Sequence, residues 1–379
     1  MSAESSPSTP KRLFHLDNLR VFLTILVIAH HASIAYGGAG DWAVSDPAVD
    51  EISPIFLTYF TAVNQSYFMS AFFLLAGYFT PRSLEKKGAR SFLADRLIRL
   101  GIPLLIYTTL IIDFNRWLTD VWMSGGSFRW MLAYEPGHLW FLQALLLFAV
   151  LYVLYRMWAD RTTAKPRFRY WQDRFPPNRA LILSIIVLAL LTFVVRIRFL
   201  VGEWDFGFQL GHFVHYIFSF FVGVLAYRGD WFDRLERRQA RSWGVVALVT
   251  LPVFFVLAIL GGALESDAAV EKFLGGMGWQ SMAYSAWEST MFIAALTYLL
   301  YLFRERFSQA GPLLRSMSKS VYTVYIIHQT LVIALNLLFL PVAIPTLLKF
   351  VLVSLIAVPA CFALAGLIRR IPYADRVLG

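Results

Sequence analysis

Ten stretches of about 20 predominantly apolar residues, each long enough to cross a bilayer, recur along this chain and constrain its fold more than any motif does. They fall near residues 19–37, 59–79, 98–118, 139–158, 180–200, 210–227, 243–262, 283–303, 321–340 and 343–367. In hydrocarbon every backbone N–H and C=O must be satisfied within the protein, which leaves helices or closed barrels. Runs of this length specify helices. Composition agrees: 58% of the 379 residues are hydrophobic and only 15% are charged, against roughly 45–50% and 25% in soluble domains. The expected fold is all-α, a polytopic bundle of about ten transmembrane helices.

The loops test that count, because cytoplasmic loops collect Lys and Arg. The N-terminal tail carries Lys11 and Arg12, the second loop Arg82, Lys86, Lys87, Arg90 and Arg96, and the fourth Arg161, Lys165, Arg167, Arg169, Arg174 and Arg179. Arg228, Arg234, Arg237, Arg238 and Arg241 follow in the sixth loop, Arg304, Arg306, Arg315 and Lys319 in the eighth, and Arg369, Arg370 and Arg376 at the C-terminus. The intervening loops are short or acidic, with Asp41, Asp46, Asp50 and Glu51, then Glu203 and Asp205, then Glu265, Asp267 and Glu271. Both termini are therefore expected in the cytoplasm.

This topology accounts for the net charge of +10, and the basic residues sit in separate short loops without interleaved stacking aromatics, so nucleic acid is not expected as a partner. Most tryptophans, among them Trp42, Trp117, Trp158 and Trp279, flank span ends, as an interfacial belt requires. Residues 1–13, rich in Ser and Pro, read as a disordered tail, and residues 14–379 as one membrane domain. Arg20, His30 and His31 inside the first apolar run argue against a cleaved signal peptide. The single cysteine, Cys361, excludes an intrachain disulfide. No internal repeat or inverted pair of broken spans points to a transporter.

Polar groups inside the spans mark the site. Arg20 and His31 are eleven residues apart in LRVFLTILVIAHHASIAYGG. At 100° and 1.5 Å per residue they share one helix face about 16 Å apart. Charged and ionisable groups at membrane depth face the protein interior or a wet cavity and serve function by default. His30, about 100° away, reads as a buried imidazole bonded to a neighbouring helix. His138 and Trp140 lie in HLWFL at the outer start of the fourth span, as interfacial anchors or as substrate-lining groups. In SVYTVYIIHQT, Tyr325 and His328 are one turn apart on one face. Glu288, in AWEST, is a carboxyl inside a span that could pair with His31 or an Arg, or bind a sugar hydroxyl. No HExxH, cysteine cluster or i, i+4 His pair indicates a metal, and His212 and His215 could meet one only with help from other helices.

These segments, with FMSAFFLLAGYF in the second span and DRLIRLGIPLL opening the third, resemble the acyltransferase 3 family of integral membrane acyltransferases over essentially the whole chain. Within it the likeness is greatest to the glucan biosynthesis protein C branch, whose members are linked to succinylation of periplasmic glucans. The resemblance implies transfer of an acyl group, acetyl or succinyl, from cytoplasmic acyl-CoA to a hydroxyl of a carbohydrate acceptor, in a bacterial inner membrane, with no permanently bound cofactor. His31 matches the family's essential histidine and Arg20 its paired arginine. On this reading Arg82, Arg96 and Arg99 are candidates to hold the CoA phosphates, because guanidinium binds phosphate bidentately. His138, Trp140, Tyr325 and His328 would line the substrate site, and His31 would act as general base or accept the acyl group itself. One departure is Ala76, where many relatives carry a Ser before the Gly. The rival reading is an exporter or flippase for a glycan or lipid intermediate, which would move substrate without acyl-CoA or ester formation.

Overall fold

A computed structural model describes residues 13–46, 48–126, 130–131, 134–161 and 174–378. Ten long helices run through them in chain order: α1 (Phe14–Ile34), α2 (Ile52–Lys87), α3 (Ala89–Ser124), α4 (Gly137–Arg161), α5 (Asn178–Arg196), α6 (Leu210–Gly229), α7 (Arg237–Leu260), α8 (Trp279–Arg306), α9 (Pro312–Phe339) and α10 (Thr346–Ile368). A short helix, Asp267–Leu274, lies between α7 and α8. Among the described residues no β-strand forms beyond one isolated bridge between Asp205 and Phe208. The all-α bundle is thus the observed fold. The expected tail falls almost wholly on residues 1–12, outside the described residues.

Eight helices, α3 to α10, are long and apolar enough to cross a membrane. The other two expected spans coincide with α1 and α2, of 21 and 36 residues. Asp17, Asn18, Arg20, His30 and His31 in α1, and Asn64, Gln65, Ser66 and Ser70 in α2, dilute their apolar character. Most of those polar side chains are buried, so α1 and α2 direct them into the bundle. In α8, 72% of the apolar stretch is buried, against 22% in α5, α7 and α10. Hence α8 is central and those three are peripheral, the faces left for lipid.

The two ends of the bundle differ in charge. At one end Arg304 donates to the carbonyls of Phe232 (2.7 Å) and Leu235 (2.7 Å), and Asn18 to those of Phe307 (2.8 Å) and Gln309 (2.9 Å). There, too, Tyr322 donates to the Arg99 carbonyl and Arg369 to that of Lys319. These contacts gather the start of α1 with the second, sixth and eighth basic loops and the C-terminus. At the other end the cations are matched by acids: Lys349 lies 2.6 Å from Asp46, and Arg116 bonds Asp113 (3.0 Å) and Glu135.

Two local features shape the interior. A Cβ on Gly77 would collide with the Phe220 carbonyl of α6, and one on Gly223 with the Leu74 carbonyl of α2. This reciprocal glycine contact lets α2 and α6 cross almost backbone to backbone, the way small residues act between membrane helices. In α3, two π-turns, Leu97–Gly101 and Tyr107–Ile111, flank Pro103. Proline lacks the N–H that would continue the ladder, and such turns occur frequently at functional sites. The first carries Arg99 and the second Tyr107.

Candidate active site

A cavity of about 1280 Å³ enters the bundle at its acidic end. Exposed residues form its mouth, including Gly40, Asp41, Glu135, Trp204 and Asp267. His30, His31, His138, Trp140, Tyr216 and Tyr325 line its depth. The aromatic wall is ordered by stacking: the Tyr216 ring stacks with Trp140 at 5.3 Å and with Phe73 at 4.9 Å. Gln65 donates to the Tyr216 hydroxyl (2.9 Å). Flat aromatic faces beside polar groups suit a sugar, whose C–H faces stack and whose hydroxyls hydrogen-bond.

His31 is half-buried, three turns along α1 from Arg20. Trp42, from the loop after α1, stacks on its ring at 4.9 Å and is anchored by an indole N–H bond to Asn336 (3.2 Å). At the ring edge His31 Nδ1 lies 3.0 Å from His328 Nε2. His328 Nδ1 in turn lies 2.7 Å from the Tyr325 carbonyl. The same carbonyl sits 3.0 Å from His138 Nε2, while His138 Nδ1 and the Tyr107 hydroxyl both meet the Gln329 amide. The Tyr325 hydroxyl donates to the His138 carbonyl. Four helices, α1, α3, α4 and α9, therefore converge on one hydrogen-bonded cluster.

The structure places His31, His138, Trp140 and Tyr325 at the cavity, but not His328. His328 is 0% exposed and does not border the cavity. One turn on from Tyr325, it lies behind His31 and contacts that ring.

Arg20 points elsewhere. Its guanidinium lies 4.6 Å from the centre of the Phe79 ring and 3.8 Å from Asp17, away from the cavity. Arg96, within electrostatic reach of Arg20, packs over Phe92 at 5.0 Å. Arg99 pairs with Asp95 (3.2 Å), and Lys87 bonds the same carboxylate (2.8 Å). Arg82 is exposed on the last turns of α2, toward the same end. Arg20, Arg82, Arg96 and Arg99 thus belong to the basic end, and His31 to the cavity.

Glu288 takes one of the pairings its sequence position leaves open, that with an arginine. It pairs with Arg196 (2.5 Å), not with His31. Its second oxygen lies 3.1 Å from His212 Nδ1, while Arg196 also bonds the Gly211 carbonyl (3.1 Å) and Ser285 (3.4 Å). Arg196 is 0% and Glu288 2% exposed. This fully satisfied pair joins α5 to α8 behind the cavity wall, and Glu288 does not line the cavity. His215 bonds Ser289 (3.0 Å), and among the described residues no group of three or more His, Cys, Asp or Glu side chains is placed to hold a metal. Sequence reasoning missed Arg196, Gln329 and Tyr107. The signal for Arg196 was present, a cation inside the fifth apolar run.

A family model described as "Acyltransferase domain" matches residues 14–366. "Glucans biosynthesis protein C" of Salmonella typhimurium is 26% identical over 246 residues, 59% of this chain and 60% of that protein. The protein of the same name in Escherichia coli strain K12 is 28% identical over 159 residues, covering 39% of this chain and 40% of its own length. The matches therefore span 60% of the Salmonella relative and less of the Escherichia one. No solved structure matches.

Proposed function

The chain belongs to the acyltransferase 3 family and is an integral membrane acyltransferase, and from that premise we propose that it moves an acetyl or succinyl group from acyl-CoA at its basic end to a hydroxyl of a carbohydrate acceptor in the cavity at its acidic end. The basic end faces the cytoplasm and both termini lie there, in a bacterial inner membrane. The observation that carries this reading is the division of α1: His31 borders the cavity while Arg20, on the same helix, joins Arg96 at the opposite end. One helix so links a site for an anionic donor to a site for a neutral acceptor. The relatives' printed name supports a glucan as the acceptor.

At the donor end Arg82, Arg96 and Arg99 hold the phosphates of the nucleotide, and Arg20 stands further along the path of the pantetheine arm. That arm spans the roughly 16 Å of helix between Arg20 and His31 and delivers the thioester to the floor of the cavity. His31 removes the proton from the acceptor hydroxyl as its oxygen attacks the thioester carbonyl. The C–O ester bond forms, the C–S bond breaks, and the CoA sulfur leaves with a proton. Trp140, Tyr216 and Tyr325 orient the sugar, and His138 supports the wall that holds them. General-base assistance of this kind is worth about 10²- to 10⁴-fold.

The test is transfer from radiolabelled acetyl-CoA and succinyl-CoA in membranes carrying wild-type protein or His31→Ala, with glucans supplied and the carbohydrate fraction analysed. The proposal expects an alkali-labile ester that falls by about 10²-fold or more in the variant. Full transfer by folded His31→Ala overturns the assignment of His31. Movement of glycan without acyl-CoA and without ester overturns the proposal in favour of a carrier.

A further inference from the structure

We infer that His328 is a positioning residue that fixes the tautomer of His31, so that Nε2 of His31 is the nitrogen presented to the acceptor. The inference rests on the proposed role of His31 as base. It follows from counting protons along the chain of contacts, beginning at the one group whose role is fixed. The Tyr325 carbonyl can only accept, so His328 Nδ1, 2.7 Å away, carries a hydrogen and donates it. A neutral imidazole has one N–H, which makes His328 Nε2 an acceptor. Across 3.0 Å it faces His31 Nδ1, which must therefore be the protonated nitrogen of that ring. The lone pair of His31 is left on Nε2.

The alternative, a doubly protonated His328, would make its Nε2 a donor and force the His31 lone pair onto Nδ1, toward His328 and away from the acceptor. That would place an imidazolium at a position with 0% exposure, among the rings of His31, His138 and Tyr325. Among the described residues no carboxylate bonds to His328. A buried charge without a partner costs several kcal/mol, so the neutral form holds. The His31 ring borders the cavity, and the Val27 carbonyl, one turn back along α1, is a second acceptor beside it. Neutral histidine in water favours the opposite form, with the hydrogen on Nε2. The protein therefore reverses the solution preference and readies the base before substrate arrives.

His138 shows the same device one step away. Its Nε2, 3.0 Å from the Tyr325 carbonyl, is a donor, which makes its Nδ1 an acceptor. The Gln329 amide must then turn its NH₂ toward His138, an orientation set by the network and not by the shape of the side chain.

Nitrogen NMR of histidine-labelled protein in liposomes reads this directly, with the His31 signals identified by their absence in His31→Gln. The expected spectrum of the wild type has a protonated Nδ1 and an unprotonated Nε2 on His31. His328→Leu, which removes the acceptor, should return His31 to the Nε2–H form and lower kcat by about 10²-fold with little change in KM. His328→Gln sets an amide oxygen where Nε2 was, and should restore both the Nδ1–H signal and part of kcat. A wild-type His31 protonated on Nε2 overturns the inference, as does a His328→Leu protein whose His31 signals are unchanged. If the wild-type signals are as expected but His31→Ala transfers acyl groups normally, the tautomer assignment stands and the proposed function fails.

Discussion

Replacing Glu288 by Gln should destabilise the bundle without touching the chemistry. The substitution keeps the shape of the side chain and one carbonyl oxygen but removes the charge that balances Arg196, 2.5 Å away. Arg196 would keep its bonds to the Gly211 carbonyl and Ser285, yet its guanidinium, 0% exposed, would stay buried without a counter-charge. Breaking one side of such a pair costs about 3–5 kcal/mol, a factor of roughly 10² to 10⁴ in the folding equilibrium. The double variant Arg196→Met, Glu288→Leu should recover most of that loss, because apolar replacement of both partners is often neutral or stabilising. Unfolding by SDS from mixed micelles, followed by tryptophan fluorescence, would compare Glu288→Gln with wild type and, with Arg196→Met and Glu288→Leu as the single variants, close the double-mutant cycle, with acyl transfer measured on each folded variant. The reasoning fails if Glu288→Gln is as stable as wild type. It also fails if the double variant loses the sum of the single losses, or if a stable Glu288→Gln protein transfers no acyl group.

Three further outcomes are expected. Gly77→Ala should lower stability by about 1–3 kcal/mol, because the new methyl meets the Phe220 backbone, whereas Gly366→Ala, with open space around it, should not; thermal unfolding in detergent compares them. Trp42→Ala should slow transfer by about 2- to 10-fold, the worth of one aromatic contact, and Trp42→Phe should retain most of the rate because the stack on His31 remains. Removing a phosphate contact is worth about 1.5–3 kcal/mol, so Arg96→Ala and Arg99→Ala should each raise the KM for acyl-CoA by about 10- to 10²-fold and leave the rate at saturation nearly unchanged. Arg→Lys should recover only part of the affinity, since a point charge cannot replace the guanidinium fork.

The helices were legible because their signal is local. Apolar runs and the alternation of basic and acidic loops depend on near neighbours in sequence, and each expected span coincides with one of α1 to α10. Helical periodicity likewise sets Arg20 and His31 three turns apart on α1. What that periodicity could not supply is which other helices each of them meets. Arg196 and Glu288 are 92 residues apart and meet only because α5 packs on α8. Tyr107 and Gln329, 222 residues apart, meet where the second π-turn of α3 lies beside α9. One turn between Tyr325 and His328 revealed a shared stripe, but packing decided that Tyr325 lines the cavity while His328 lies behind His31. The glycine of LLAGY is explained by the crossing with α6, a contact with a helix more than 130 residues away in sequence.

Sidedness of transfer, read with membrane-impermeant radiolabelled acyl-CoA and soluble glucan on chosen faces of oriented vesicles, separates the two ends of the bundle most directly. Ester should form only when acyl-CoA meets the face bearing Arg82, Arg96 and Arg99 and glucan meets the face onto which the His31 cavity opens, and should be lost in His31→Ala. Ester formed with both reactants confined to the cavity face, or with both confined to the basic face, would contradict that division of the two ends.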